Sequence, residues 1–264
     1  MHRTRFAAWQ FAAAWAVVLA IGTIGPDQAG AAGVYENASA EPAFLLSERR
    51  VHVRAEFDYS HGDAMDGTVY RLTAVFPLRN AFAVAIEQPF VAISSDSVVD
   101  SGIGDLVVRG SARLWRGDGR ALTLLGYLGA GTGEVRLFPY SSQTFDVSMS
   151  LGYADSLGAV TLYALFGNTW VHQEKDGVPD DQRHTDYWKA SGGVIAALGG
   201  GIALRAGILH EDYRTDANRN LCFGGVGFDA APTLRIELAG QAEVGSESQR
   251  VSDWAASLGA VVRF

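Results

Sequence analysis

The chain has 264 residues, 48% of them apolar, and a formal net charge of −8. That length holds one large domain or two small ones. The acidic balance excludes a broad nucleic-acid surface, and a single cysteine, Cys222, excludes an intramolecular disulfide. Cys222 reads instead as a small buried or lipid-facing hydrophobe.

The first segment has three parts: a short basic "MHRTR", an apolar "FAAWQFAAAWAVVLAIGTIG", and the small residues "QAGAAG" with an Ala29-x-Ala31 pattern. This is the layout of a secretory signal peptide, expected over residues 1–31. Residues 32–48 are expected to be a periplasmic leader or a plug of the lumen. Their "AFLL" patch is the feature that suggests the plug. Past residue 31, no stretch reaches the ~18 apolar residues that a spanning helix needs.

From residue 49 onward the pattern has period two. "RVHVRAEFDY" sets Val51, Val53, Ala55, Phe57 and Tyr59 against His52, Arg54, Glu56 and Asp58. "DLVVRGSARL", "TFDVSMSLGY" and "TLRIELAGQAEV" repeat the pattern further along. Such alternation marks strands whose two faces meet different surroundings. It predicts about twelve strands, at 49–59, 67–76, 81–90, 104–115, 120–131, 143–154, 159–170, 186–197, 201–211, 220–229, 233–244 and 251–264. Each is close to the length of a tilted membrane-spanning strand.

The connections alternate between tight ones ("PLRN", "RGDG", "DSLG", "LGG", "APT") and longer polar ones at 60–66, 91–103, 132–142, 171–185, 212–219 and 245–250. Short periplasmic turns and long external loops give this rhythm in a barrel. The fold expected is therefore all-β: a closed, transmembrane, antiparallel up-and-down barrel of about twelve strands over residues 49–264. Aromatic residues fall at both ends of the apolar faces. Tyr59, Tyr70, Phe145, Phe166, Trp188 and Trp254 lie toward the long connections, and Phe76, Phe82, Tyr153 and Phe264 toward the short ones. Two such girdles fit the two interfaces of a bilayer. A secreted β-sandwich would explain neither the girdles nor the rhythm.

The last strand sets Phe264, Val262, Ala260 and Leu258 on its apolar face, and it resembles the assembly signal of bacterial outer-membrane barrels. "SGIGDLVVRGSARLW" (101–115), the Thr-Gly of "GAGTGE" (129–134) and "SSQTFDVSMSLGY" (141–153) resemble a family of outer-membrane transporters named for the MetA pathway of phenol degradation. The resemblance covers about residues 100–170, with Gly131 where the family usually has proline. It implies passage of small, hydrophobic or aromatic solutes across the bacterial outer membrane. The partners implied are outer-membrane lipid, the barrel-assembly machinery and a small-molecule solute, with no nucleic acid and no cofactor.

The polar faces carry Arg54, Arg71, Arg109, Arg113, Lys189, Arg205, Arg235 and Arg263, with Glu56, Asp58, Glu87, Asp105, Asp146, Glu211, Glu237, Glu243 and Asp253. These are the candidate pore-lining residues. Unpaired charges are costly in a narrow interior, so ladders of arginine and carboxylate are expected. Twelve strands spaced ~4.8 Å and tilted ~40° give a backbone diameter of roughly 24 Å, enough for a small solute but not a folded protein. The segment 171–186, "VHQEKDGVPDDQRHTD", is rich in carboxylates but lacks the spacing of an EF-hand, and no metal is expected there. Two alternatives stand beside a channel. One is a lipid-modifying enzyme using His210 near Glu211 and Asp212, although no serine motif accompanies them and no enzyme is expected. The other is a structural or adhesive barrel.

Overall fold

The computed structural model describes residues 50–61, 66–78, 81–94, 99–133, 146–171, 187–213, 217–244 and 254–264. In chain order the strands are β1 (His52–His61), β2 (Asp66–Leu78), β3 (Phe82–Ser94), β4 (Val99–Ile103), β5 (Leu106–Arg116), β6 (Arg120–Ala130), β7 (Asp146–Leu157), β8 (Val160–Val171), β9 (Tyr187–Gly199), β10 (Ile202–Tyr213), β11 (Ala217–Ala231), β12 (Leu234–Glu243) and β13 (Trp254–Arg263). All pairings are antiparallel between chain neighbours, apart from the β3–β5 pairing that bypasses β4 and the β1–β13 pairing that closes the sheet. The result is a twelve-staved barrel in which β4 and β5 are two halves of one stave. The signal-peptide and leader assignments (1–31 and 32–48) lie outside the described residues, as do Phe145, Asp253 and the carboxylate-rich stretch 172–186.

The tight connections are made by residues that accept left-handed backbone. Gly119 (φ 74°) turns β5 into β6, and Gly158 (φ 68°) turns β7 into β8. Glycine takes such angles without a steric penalty.

One connection differs from the sequence reading. Residues 91–103 are not a long polar loop: β3 runs on to Ser94, and Val99–Ile103 return beside it as β4. Below, Glu87 pairs with Val107, and above, Phe90 pairs with Ile103. Two residues of β3 therefore oppose three of the neighbouring stave, which is a bulge. Pro89 lies at this point and has no N–H to give to a ladder. Gly104 N–H donates to the Pro89 carbonyl (3.1 Å), and Gln88 Nε2 donates to the Gly104 carbonyl (3.0 Å).

The outer surface is an apolar band. Ile208, Leu238 and Phe166 are exposed in mid-strand, Phe166 lying nearer the middle than the girdle toward the long connections expected for it. Tyr70, Trp188 and Trp254 are exposed toward one end, with Tyr59 packed against Trp254 at 5.5 Å between ring centroids. Phe76, Phe82 and Tyr153 are exposed toward the other end. Cys222 is exposed on this outer face. On β13, Leu258 is exposed, Ala260 and Val262 are half-buried, and the Phe264 N–H donates to the Val51 carbonyl at 2.9 Å.

Candidate functional site

The barrel interior gathers nearly all the described polar side chains that sequence alternation singled out, and it divides into two walls. The first runs along β10–β13, β1–β3 and β5. On β11, β12, β13 and β1, one chain of ion pairs joins six residues: Arg263–Asp229 (3.0 Å), Asp229–Arg235 (3.3 Å), Arg235–Glu237 (2.9 Å), Glu237–Arg54 (3.4 Å) and Arg54–Glu56 (3.0 Å). A second chain crosses β1, β2, β3 and β5. Asp58 pairs with Arg71, Arg71 with Glu87 (3.5 Å), and Glu87 with Arg109 (3.1 Å). Toward the opposite end from Arg263, Arg219 bridges Glu211 (3.6 Å) and Glu243 (3.2 Å), and Lys189 lies in register beside Glu211. Positive and negative charges match in number within the first two chains, and Lys189 matches them in the third. Charge-assisted pairs of this kind hold long side chains in fixed geometry.

Asp229 and Arg219 belong to these chains but are absent from the sequence-derived set. Both sit near the ends of β11, which runs from Ala217 to Ala231. Arg219 falls outside the 220–229 expected, whereas Asp229 is the last residue within it, in phase with Phe223 but past two in-phase glycines that blur the faces. Extending period two from Phe223 through Leu221 would have found Arg219. Arg113 and Arg205 face inward and are half-buried. The side chain of Asp146 lies outside the described set.

The second wall, β6–β9, carries hydroxyl, aromatic and aliphatic groups. Thr123, Ser148, Ser150, Thr169 and Ser191 are buried there beside Leu125, Ala154, Tyr163, Leu165 and Ile195. Thr169 Oγ1 donates to Ser148 Oγ at 3.1 Å. Val75, Ala83 and Ala85 of β2 and β3, with Phe223 of β11, join this apolar cluster. Lys189 is the only charged side chain facing inward from β6–β9 among those described. The interior is thus not the uniformly polar face that the alternation implied. The walls meet where the Arg109 guanidinium lies 5.3 Å from the centre of the Tyr127 ring, a cation–π contact.

Inward-facing glycines let the bulky groups lie along the wall instead of across the barrel. A Cβ at Gly193 would come within 2.6 Å of the Tyr163 hydroxyl, and one at Gly227 would meet the Arg235 guanidinium. Covering a glycine with a neighbour's large side chain is a recurrent device in barrels.

The segments "SGIGD" and "TG" meet in space. Asp105 lies between β4 and β5 rather than on a strand, and its Oδ1 accepts from Gly133 N–H at 2.8 Å. Thr132 Oγ1 accepts from Leu106 N–H at 2.9 Å. These bonds clasp the broken stave to the end of β6. His210, by contrast, is on the outer face, where its Nδ1 is 2.7 Å from Asn220 Oδ1, while Glu211 beside it is buried inside.

No family model and no curated protein matches the chain. Solved structures do. The COG4313 outer membrane channel from Pseudomonas putida F1 superposes with a TM-score of 0.71 at 14% identity, covering 88% of this chain and 100% of that one. The NanC porin gives 0.57 at 10% identity over 81% of this chain and 100% of that one. The KdgM porin, solved in complex with disordered oligogalacturonate, gives 0.57 at 9% identity over 81% and 99%. The fold is therefore that of outer-membrane barrel channels.

Proposed function

We propose that the chain is a bacterial outer-membrane channel for small, uncharged or weakly polar solutes, hydrophobic and aromatic ones among them. The observation that carries this reading is the divided interior. Most of the charges on its charged wall are paired with one another, in groups of matched sign, leaving little net field to attract an ion of either sign. Its other wall offers hydroxyl groups among aromatic and aliphatic ones, which suits a neutral solute with an apolar body and a polar handle. The fold shared with known channels and the apolar outer band support the location. In this reading the glycine turns face the periplasm, and residues 1–31 are removed on export. Residues 32–48 are a periplasmic leader or a plug of the lumen. Membership of the family named for the MetA pathway is part of the same proposal. Its support now includes the clasp, which joins two segments on which the resemblance rests.

The test is solute flux into liposomes carrying the purified protein, with protein-free liposomes as the blank. Phenyl glucoside and phenyl glucuronide match in size and differ by one carboxylate. The neutral glycoside is expected to enter several-fold faster than the glucuronide and than an aminated analogue. Flux of none of the three would overturn the channel, and equal flux of all three would overturn the preference for neutral solutes.

A further inference from the structure

Two side-chain clusters on the outer face have no part in a solute path. The first spans β9, β10 and β11. Trp188 Nε1 donates to Asp212 Oδ2 at 2.8 Å, and the Trp188 ring lies 5.0 Å from the His210 imidazole, whose Nδ1 is 2.7 Å from Asn220 Oδ1. The second spans β13, β1 and β2. The Trp254 ring lies 5.9 Å from the His61 imidazole, whose Nδ1 is 2.6 Å from Asp66 Oδ1. The order is the same in both: a tryptophan on one strand, a histidine on the next, and an amide or carboxylate oxygen on the third. Register builds them, since His61 sits opposite both Trp254 and Asp66, and His210 opposite Asn220. Both lie at the end of the barrel away from the glycine turns.

An aromatic girdle needs only rings and an indole N–H at the headgroup level. It does not need histidine with carboxylate or amide partners facing lipid. Phosphate is a poor fit for these clusters. Each holds a carboxylate, and among the described residues no Lys or Arg faces outward at this end of the barrel. The chemistry present is a partly exposed indole face beside a carboxylate, an imidazole and, in one cluster, an amide. That combination suits a neutral sugar: ring C–H groups stack on the indole while hydroxyls bond to the polar atoms.

We propose that the two clusters bind the neutral sugar headgroups of glycolipids in the leaflet at this end of the barrel. The inference rests on the membrane-barrel reading but not on solute passage. The test places the full chain in phosphatidylcholine nanodiscs containing equal small fractions of a galactosyl diacylglycerol and phosphatidylglycerol. The protein is then extracted in detergent and the retained lipid is quantified. Galactolipid is expected to be enriched several-fold over both phospholipids. The combined variant His61→Ala, Asp66→Ala, His210→Ala and Asp212→Ala should lose that enrichment while keeping its strand spectrum and its flux of phenyl glucoside. In the unmodified protein, galactolipid should shift tryptophan emission saturably and phosphatidylcholine should not. This second readout holds even if the variant fails to fold. Preference for phosphatidylglycerol, equal retention of all lipids, or enrichment that survives in the variant would overturn the inference. A chain that enters no bilayer would overturn the membrane-barrel reading with it.

Discussion

Replacing Arg235 with methionine strikes the centre of the longest ion-pair chain. The Arg235 side chain is 1% exposed and holds Asp229 at 3.3 Å and Glu237 at 2.9 Å. Removing one partner of a buried pair costs about 3–5 kcal/mol. Here each abandoned carboxylate keeps a second arginine, Arg263 at 3.0 Å for Asp229 and Arg54 at 3.4 Å for Glu237. The loss should therefore fall at the low end, about 3 kcal/mol, or roughly a hundredfold in the unfolding equilibrium. Urea unfolding from lipid vesicles, followed by tryptophan emission, reads it as a lower midpoint. The variant also removes one positive charge from the interior, shifting its balance by one unit toward negative. In a potassium chloride gradient its reversal potential should move toward that of potassium. Adding Glu237→Gln restores the balance and should recover at least half of the lost stability and return the reversal potential. An unchanged midpoint in the single variant, or a double variant weaker still, would refute the view that these charges are held by one another.

Three further expectations rest on other parts of the barrel. Ile208→Arg places a charge at a 63% exposed position in the middle of the outer band and should cost about 2–4 kcal/mol in vesicles, with a far smaller cost in detergent. Gly193→Ala meets both the Ala206 carbonyl oxygen and the Tyr163 hydroxyl, so it should push the Tyr163 ring off the wall, lower solute flux and cost about 1–3 kcal/mol; Tyr163→Ala in the same chain should restore part of the flux but not the stability lost at the backbone contact. Asp105→Ala leaves the buried Gly133 N–H without its acceptor, at about 1–3 kcal/mol, and should speed hydrogen exchange at Leu106 and Gly133 before other strands are affected.

The staves and their outward faces were legible because period two is a local signal. Segments such as "RVHVRAEFDY" carry it without ambiguity. It fails where both faces are apolar. In "TLYALF" (161–166), Tyr163 and Leu165 are buried inside and Leu162 and Phe166 exposed outside, yet all four look alike in the sequence. That is why the uncharged wall went unseen. The broken stave was hidden for another reason: part of its cause, Pro89, sits on the neighbouring strand. The candidate charges were legible singly, but not their grouping, which depends on register across strands far apart in the chain. The same holds for the Trp–His clusters, where Trp254 and His61 meet only because β13 closes onto β1.

Closure normally leaves a barrel without the unpaired strand margin on which sheets grow from one molecule to the next. β4 is the exception among the described strands. It bonds to β3 on one side and to no described strand on the other. The bulge that bends the stave thus leaves a short backbone row, the second side of β4, outside the pairing of the described strands. Two features blunt it as a template for growth. The row is only five residues long, and it carries Asp100, whose carboxylate turns back to accept from the N–H of Ser101 at 2.8 Å. A longer or purely apolar β4 would make the same bend a seed for edge-to-edge polymers.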